Sequence, residues 1–223
     1  MSDINPSYLP PNKMFEIVKQ AIDRSCGQLI DINLKYCCNN DILKYITLRK
    51  NQVRRLKLVS CWHITNYGLS EAAKKMTSIE ELYLHLGRIT EVGLENVGRS
   101  CPGLKSLTHN QHSIFINVDN PNSVALAISR TMSQLRHLNL IGNYMTNTGL
   151  QAILDACPHL ESLDLRLCNN IDLSGELGKK CSSIKTFRHP NEFVGRGRSI
   201  LDLYDDNIDL DDDFADEYFF FYD

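Results

Sequence analysis

No stretch of the 223-residue sequence is apolar for the roughly 18 residues needed to cross a bilayer. Its start, Met1-Ser2-Asp3-Ile4-Asn5-Pro6, lacks the basic residues and the apolar segment of a signal peptide. No Asn-x-Ser/Thr acceptor with a non-proline middle residue occurs. These absences argue against a membrane-spanning or secreted chain and lead to an expectation of cytoplasm and/or nucleus. Basic residues are missing from one region altogether: none follows Arg198, while ten of the 27 acids lie from Leu201 onward. Residues 1–198 hold all 24 Lys and Arg against 17 acids, a net of +7. A surplus that diffuse makes no case for nucleic acid. Also missing are a nucleophile with an obvious base, a Gly-rich phosphate loop and a paired-carboxylate motif. An enzyme is not expected, and neither a cofactor nor a membrane partner is implied.

What recurs is an apolar triplet of the form L-x-x-L-x-L. It appears as Leu29/Ile32/Leu34, Val53/Leu56/Leu58, Ile79/Leu82/Leu84, a degraded Leu104/Leu107, Leu135/Leu138/Leu140, Leu160/Leu163/Leu165 and a terminal Ile184/Phe187. First positions are separated by 24, 26, 25, 31, 25 and 24 residues. This triplet at this period is the signature of a leucine-rich repeat solenoid. The predicted fold is α/β: a right-handed superhelix, arched like a horseshoe, of about seven strand–helix repeats. Such a solenoid offers a surface more than a pocket, which favours a protein-binding module.

Each triplet is a short strand whose leucines point inward and whose alternate residues point out. A helix start follows in Thr65-Asn66-Tyr67-Gly68-Leu69, Thr90-Glu91-Val92-Gly93-Leu94 and Thr146-Asn147-Thr148-Gly149-Leu150, with the Thr placed to cap the first turn. Apolar or small residues then recur at helical spacing, as in Leu69/Ala72/Ala73/Met76. Residues 13–28 are expected to form an N-terminal cap, with Met14, Ile17, Val18, Ala21 and Ile22 on one helix face. The repeats are expected over 29–194, with residues 1–12 disordered and 195–223 a linker and disordered acidic-aromatic tail. The fourth repeat carries about six extra residues, so its strand is expected to decay at Thr108-His109-Asn110-Gln111-His112 into a loop near 109–122. His109 and His112 are then read as solvated loop residues.

Eight cysteines invite a metal or disulfide reading, but their register opposes both. Cys37, Cys61 and Cys168 lie three residues after a last strand leucine, and Cys26, Cys101, Cys157 and Cys181 lie three residues before a new triplet. Met76 and Met132 fill the second slot elsewhere. Buried free thiols are expected, with no metal.

Ser60-Cys61-Trp62-His63-Ile64-Thr65-Asn66-Tyr67-Gly68-Leu69, Ser100-Cys101-Pro102-Gly103-Leu104, Cys157-Pro158-His159-Leu160-Glu161-Ser162-Leu163-Asp164-Leu165-Arg166 and Ala21-Ile22-Asp23-Arg24-Ser25-Cys26-Gly27 agree in order and spacing with one family. From about residue 14 to about residue 190 the chain resembles plant F-box/leucine-rich-repeat proteins of the small Skp-interacting type, with cysteine-containing repeats. The resemblance implies the substrate-recognition part of an SCF-type ubiquitin ligase, acting in ubiquitin-dependent protein catabolism. In that family the F-box docks on a Skp-type adaptor while the repeats hold the target. Only about a dozen residues precede the cap helix here, and no F-box is visible among them. Adaptor binding by this chain is therefore left open, and a free-standing interaction or inhibitor protein is the alternative.

The outward strand residues should line the concave face: Asp31, Asn33, Lys35, Arg55, Lys57, Glu81, Tyr83, His85, Ser106, Thr108, His137, Asn139, Ser162, Asp164, Arg166 and Arg188. A monomer binding a protein target there is expected, with a hot spot around Arg55, Tyr83, His137 and Arg166. His85, His109, His112 and His137 could converge near repeats three to five, without supporting carboxylates. The tail could remain free, or dock on a basic partner or on the chain's own basic face.

Overall fold

The computed structural model describes residues 11–36, 38–49, 52–110 and 120–192. All of these lie in one compact unit, 1–192, while the second unit, 193–223, lies outside the described residues. The proposed disorder of 1–12 and of the tail, the residues His112 and Cys37, and most of the expected loop therefore fall largely or wholly outside them.

Strand and helix alternate throughout: α1 Pro11–Arg24, β1 Asp31–Lys35, α2 Asn40–Thr47, β2 Arg55–Val59, α3 Asn66–Ala73, β3 Glu81–His85 and α4 Glu91–Ser100. They continue with β4 Ser106–Asn110, α5 Ser123–Thr131, β5 His137–Asn139, α6 Asn147–Ala156, β6 Ser162–Asp164, α7 Glu176–Ser182 and β7 Thr186–Arg188. The seven strands form one parallel sheet in chain order, β1 to β7. Their register keeps repeat positions level, so that Ile32, Leu56, Leu82, Leu107, Leu138, Leu163 and Phe187 make one continuous row. Six of these are buried and Phe187 is partly so. Helices need 8–10 Å each and strands only about 4.8 Å, so the helix layer takes the outer side of the arch and the sheet the inner. This is the expected α/β leucine-rich repeat solenoid.

Three local expectations are corrected. Strand β4 does not decay: it runs to Asn110 in register with β3, and His109 stands opposite Leu84, in a leucine position. Its ring is 2 % exposed, with Nε2 2.9 Å from the Ile89 carbonyl. A backbone acceptor within reach is what lets an imidazole replace a leucine. In α1, the core-facing residues are Phe15, Val18 and Ile22, whereas Ile17 is 49 % exposed and Ala21 is also exposed. The inward stripe is thus rotated from the expected one. Thr65 and Thr90 cap their helices, accepting from the Gly68 and Val92 amides at 3.2 and 3.4 Å, but the Thr146 hydroxyl donates to Asn122 Oδ1 at 3.2 Å instead.

That last contact belongs to a ladder joining successive coils. Asn40 Oδ1 accepts from the Thr65 amide at 3.0 Å, and its Nδ2 donates to Thr65 Oγ1 at 3.0 Å. Asn66 does the same to Thr90, both at 2.9 Å, and Asn122 to Thr146 at 2.9 and 3.1 Å. Asn147 continues it to the backbone of Asp172, both bonds 2.8 Å. The glycine three residues after each Thr makes room for the amide: a Cβ on Gly93 would lie 2.6 Å from Asn66 Oδ1, and one on Gly149 2.5 Å from Asn122 Oδ1. On Gly68 it would lie closer still to Asn40.

The cysteines obey the same coil spacing. Cys61 and Cys168 place Sγ 3.4 and 3.1 Å from the carbonyls of Leu34 and Leu140 in the preceding coil, and Cys101 and Cys157 lie 3.5 Å from those of Met76 and Met132. Burial pushes Cys101, Cys157 and Cys181 up to about 11 and Cys168 to about 12, so these four stay protonated at neutral pH. Cys26 departs from the expected burial: it is exposed, at φ 51° in the turn after α1. In the first coil Cys38, 1 % exposed, is a buried thiol. No helix among the described residues is long and apolar enough to cross a membrane.

Gly68→Ala should lower stability by about 2 kcal/mol, because the Asn40 amide must leave its two partners on Thr65. In an Asn40→Ala background the same change should cost about half or less. Gly103→Ala, whose Cβ would meet nothing within 4 Å, should stay within about 0.5 kcal/mol. Urea denaturation of the four variants measures all of this.

Candidate functional site

The sheet's inner face carries three rows, set by strand alternation and lateral register. The first is Asp31, Arg55, Glu81, Ser106, His137, Ser162 and Thr186, and the second is Asn33, Lys57, Tyr83, Thr108, Asn139, Asp164 and Arg188. The third runs along the strand ends through Lys35, Val59, His85 and Asn110. Ile141 and Arg166 follow it in the turns beyond β5 and β6, where the Gly142 amide donates to the Arg166 carbonyl at 2.9 Å. Adjacent positions within a row are about 4.8 Å apart, so each row is a line of neighbours.

The rows differ in access. In the first row Asp31, Arg55, Glu81 and His137 are exposed, and Ser106 and Ser162 half-buried. In the second, Asn33 is exposed while Lys57, Tyr83, Thr108, Asn139 and Arg188 are half-buried. The third, apart from half-buried Lys35, is closed: Val59 2 %, His85 3 %, Asn110 1 %, Ile141 1 % and Arg166 6 % exposed. Three expected contact residues, His85, Asp164 and Arg166, are therefore buried. Arg166 is turned onto Asp164, with Nε 3.1 and 3.0 Å from the two carboxylate oxygens and Nη2 2.7 Å from Oδ2. Its guanidinium organises the sheet edge and is not on offer to a target. Asn110 belongs to the same layer, its Oδ1 accepting from the Ile141 amide at 3.1 Å.

The accessible part of the expected hot spot centres on Tyr83. Lys57 Nζ lies over its ring, 4.4 Å from the centroid, and the His85 ring lies 6.2 Å away at 48°. Arg55 pairs with Asp31 one strand earlier. His137 is two strands from Tyr83, and Arg166 is buried beyond β6, so the four residues do not form one spot. Nor do His85, His109 and His137, the described members of the expected histidine group, converge. His85 lies on the inner face of β3, His109 points from β4 into the core, and His137 lies in the outer row of β5. Among the described residues no three His, Cys, Asp or Glu side chains could hold a metal together.

Sequence reasoning missed a charged column at the residue before each of strands β2 to β7: Arg54, Glu80, Lys105, Arg136, Glu161 and Lys185. Glu80 bridges Arg54 at 2.8 Å and Lys105 at 2.7 Å, and Arg136 pairs with Glu161. Lys105 above all holds the Glu80 carboxyl below its ordinary range, and Arg136 does so for Glu161. The alternation of sign at one repeat position was the available signal.

Burial, with Lys57 adding to it, pushes the His85 imidazole down to about 4. It is neutral in the folded protein and takes a proton more easily when unfolded. Its stabilising contribution is full above the unfolded value of about 6.5 and is lost as pH falls from there toward about 4. The loss should approach about 3 kcal/mol at its limit. His109, pushed the same way by burial, adds to it. His85→Leu should flatten the fall between pH 7 and 5 in urea titrations, and an unchanged slope would refute the assignment.

A family model described as "Leucine Rich repeat" matches residues 132–154 and 156–175. Among curated proteins of Arabidopsis thaliana, the chain is 44 % identical over 176 residues to "Putative F-box/LRR-repeat protein 23", covering 78 % of this chain and 39 % of that one. It is 43 % identical over 210 residues to "F-box protein SKIP19", covering 90 % and 68 %. To "Putative F-box/LRR-repeat protein 22" it is 38 % identical over 202 residues, covering 89 % and 64 %. The chain thus spans between about two fifths and two thirds of these relatives. A solved structure titled for the tropomodulin C-terminal domain of Caenorhabditis elegans overlays with TM-score 0.48 at 13 % identity, covering 65 % of this chain and 92 % of that one, a likeness too distant to bear on function. With its protein-binding repeat architecture and these identities, the chain belongs to the F-box/leucine-rich-repeat family of plants.

Proposed function

We propose that this chain is the target-recognition part of an SCF-type ubiquitin-ligase receptor. As a monomer in cytoplasm or nucleus, it holds a protein through the two open rows of its inner face. The reading rests on the family and on one observation, the Lys57–Tyr83 stack in the second row of that face, on β2 and β3. A half-buried tyrosine held beneath a cation loses little freedom on binding, and such anchors carry much of an interface's energy. Around it, Asn33, Glu81, Thr108 and His137 supply polar contacts of either sign. The binding described is non-covalent and asks for no cofactor. Transfer of ubiquitin belongs to other subunits, reached through a Skp-type adaptor.

Affinity purification of the full chain from plant cells, read by mass spectrometry, reports target and adaptor together. Lys57→Ala/Tyr83→Ala should reduce target recovery at least about tenfold and leave any adaptor recovery unchanged. Equal recovery of the target would remove the inner face as its site. A target recovered without adaptor or other ligase subunits would favour a free-standing binding protein.

A further inference from the structure

The two open rows and the charged column at the strand starts divide the inner face into unlike halves. Over β1–β3 they hold Arg54, Arg55 and Lys57 against Asp31, Glu80 and Glu81, so charge is balanced. Over β4–β7 they hold Lys105, Arg136, Lys185 and Arg188 against one accessible acid, Glu161. The other acid of that half, Asp164, is buried and clasped by Arg166, and Arg188 stands level with this neutral pair.

Glu161 does not offset this surplus. Arg136 bonds it, and His137 and Lys185 lie within electrostatic reach of the same carboxylate, so two cations and an imidazole gather on one acid. Glu80 is likewise shared between Arg54 and Lys105. Exposed pairs of this kind are weak, and a further anion can share their cations. The cations also keep sheet spacing: the Lys105 carbonyl accepts from the Arg136 and His137 amides at 2.8 and 3.0 Å, and the Arg136 carbonyl from those of Glu161 and Ser162 at 2.8 and 2.9 Å. Beside them the open rows offer neutral donors, Ser106, Ser162 and Thr186 in the first and Thr108 and Asn139 in the second, with His137 exposed among them. No Phe, Tyr or Trp stands in either row of this half, so it lacks the stacking surface that a nucleic acid would use.

We infer that the β4–β7 half of the inner face takes an acidic run of the target protein, lying across the strands with its carboxylates between the charged column and the first row. The inference rests on the proposed role of the inner face and adds the chemistry which that face selects. Carboxylate oxygens accept from the hydroxyls, the amide and the cations alike, whereas a basic segment would meet like charge. From β4 to β7 is three sheet spacings, about 14 Å, the length of about five extended residues. The occupant is a short stretch rich in Asp and Glu, and the Lys57–Tyr83 stack lies next to it on β2 and β3.

A fluorescent, end-blocked peptide of about five glutamates, read by anisotropy with the full chain, tests this chemistry without the target. It should bind where the matching glutamine peptide does not, and raising salt from about 50 to about 200 mM should weaken it several-fold as the Debye length halves. Lys185→Glu/Arg188→Glu should weaken binding at least about tenfold. Thr186→Glu removes no cation and sits at an exposed position, so it should cost at least about threefold with the melting curve unchanged. Lys75→Glu/Arg130→Glu, exposed near helix ends, matches the net charge of the first variant and should stay within about twofold. Equal loss in that control, no peptide binding, unchanged binding in Thr186→Glu, or a pentauridylate bound as tightly as the peptide would each overturn the inference. Affinity purification separates it from the reading beneath it. A target lost with Lys57→Ala/Tyr83→Ala but kept with Lys185→Glu/Arg188→Glu would leave the inner face as the site and remove the acidic run, and a target kept with both would remove the inner face itself.

Discussion

Each coil of this protein is completed by the next one. The ladder from Asn40 to Thr65, Asn66 to Thr90 and Asn122 to Thr146 satisfies both amide groups of the asparagine and the amide of a threonine at a helix start. Helix starts carry donors that the helix itself cannot satisfy, and leaving them buried and unpaired is costly. Here the missing acceptor comes from the preceding coil, 24 or 25 residues earlier. The glycine follows from that geometry, because the amide occupies the place of its Cβ. Leucine packing makes stacking favourable, and the ladder sets how far one coil is turned and shifted on the next.

The inner face inherits its order from this stacking. Because repeat positions stay level, a residue's place in its own triplet decides its neighbours on both sides. Lys57 meets Tyr83 for that reason alone: both hold the middle outward position of adjacent strands. Access, however, is decided along the strand and not across it. Outward residues near the strand starts are open, and those at the ends are shut into a layer containing His85, Asn110 and the Arg166–Asp164 pair. Accessible side chains are confined to two rows, backed by a buried layer in which Arg166 holds Asp164 and Asn110 Oδ1 accepts from the Ile141 amide.

Much of this was legible in the sequence, and the failures have specific causes. The triplets placed every strand, since a repeated L-x-x-L-x-L leaves little choice of register. They failed at His109, because a polar residue in a leucine position reads as decay unless the Ile89 carbonyl that receives it is known. The α1 face was misjudged because Met14/Ile17/Val18/Ala21/Ile22 and Phe15/Val18/Ile22 are overlapping apolar stripes on one helix, and only the neighbouring coil chooses between them. Alternation correctly put His85, Asp164 and Arg166 on the inner face and could not show that they are covered. The asparagines recur visibly at 40, 66, 122 and 147, but nothing local signals that each one's partner lies a full coil away.

The charged column at the strand starts has a consequence for how such an array can change over time. Removing the coil between Arg54 and Lys105 would take out Glu80 and bring two cations side by side, about 4.8 Å apart along the sheet. Duplicating that coil would instead set one glutamate against another. The leucines would accept either change, since every coil offers the same apolar surface to its neighbours. The rim does not, so the coils of this protein are alike in their cores but individually addressed at their edges. Loss of a repeat is tolerated most readily where that alternation is already broken, at Lys105 and Arg136, since removing either coil sets a cation beside a glutamate.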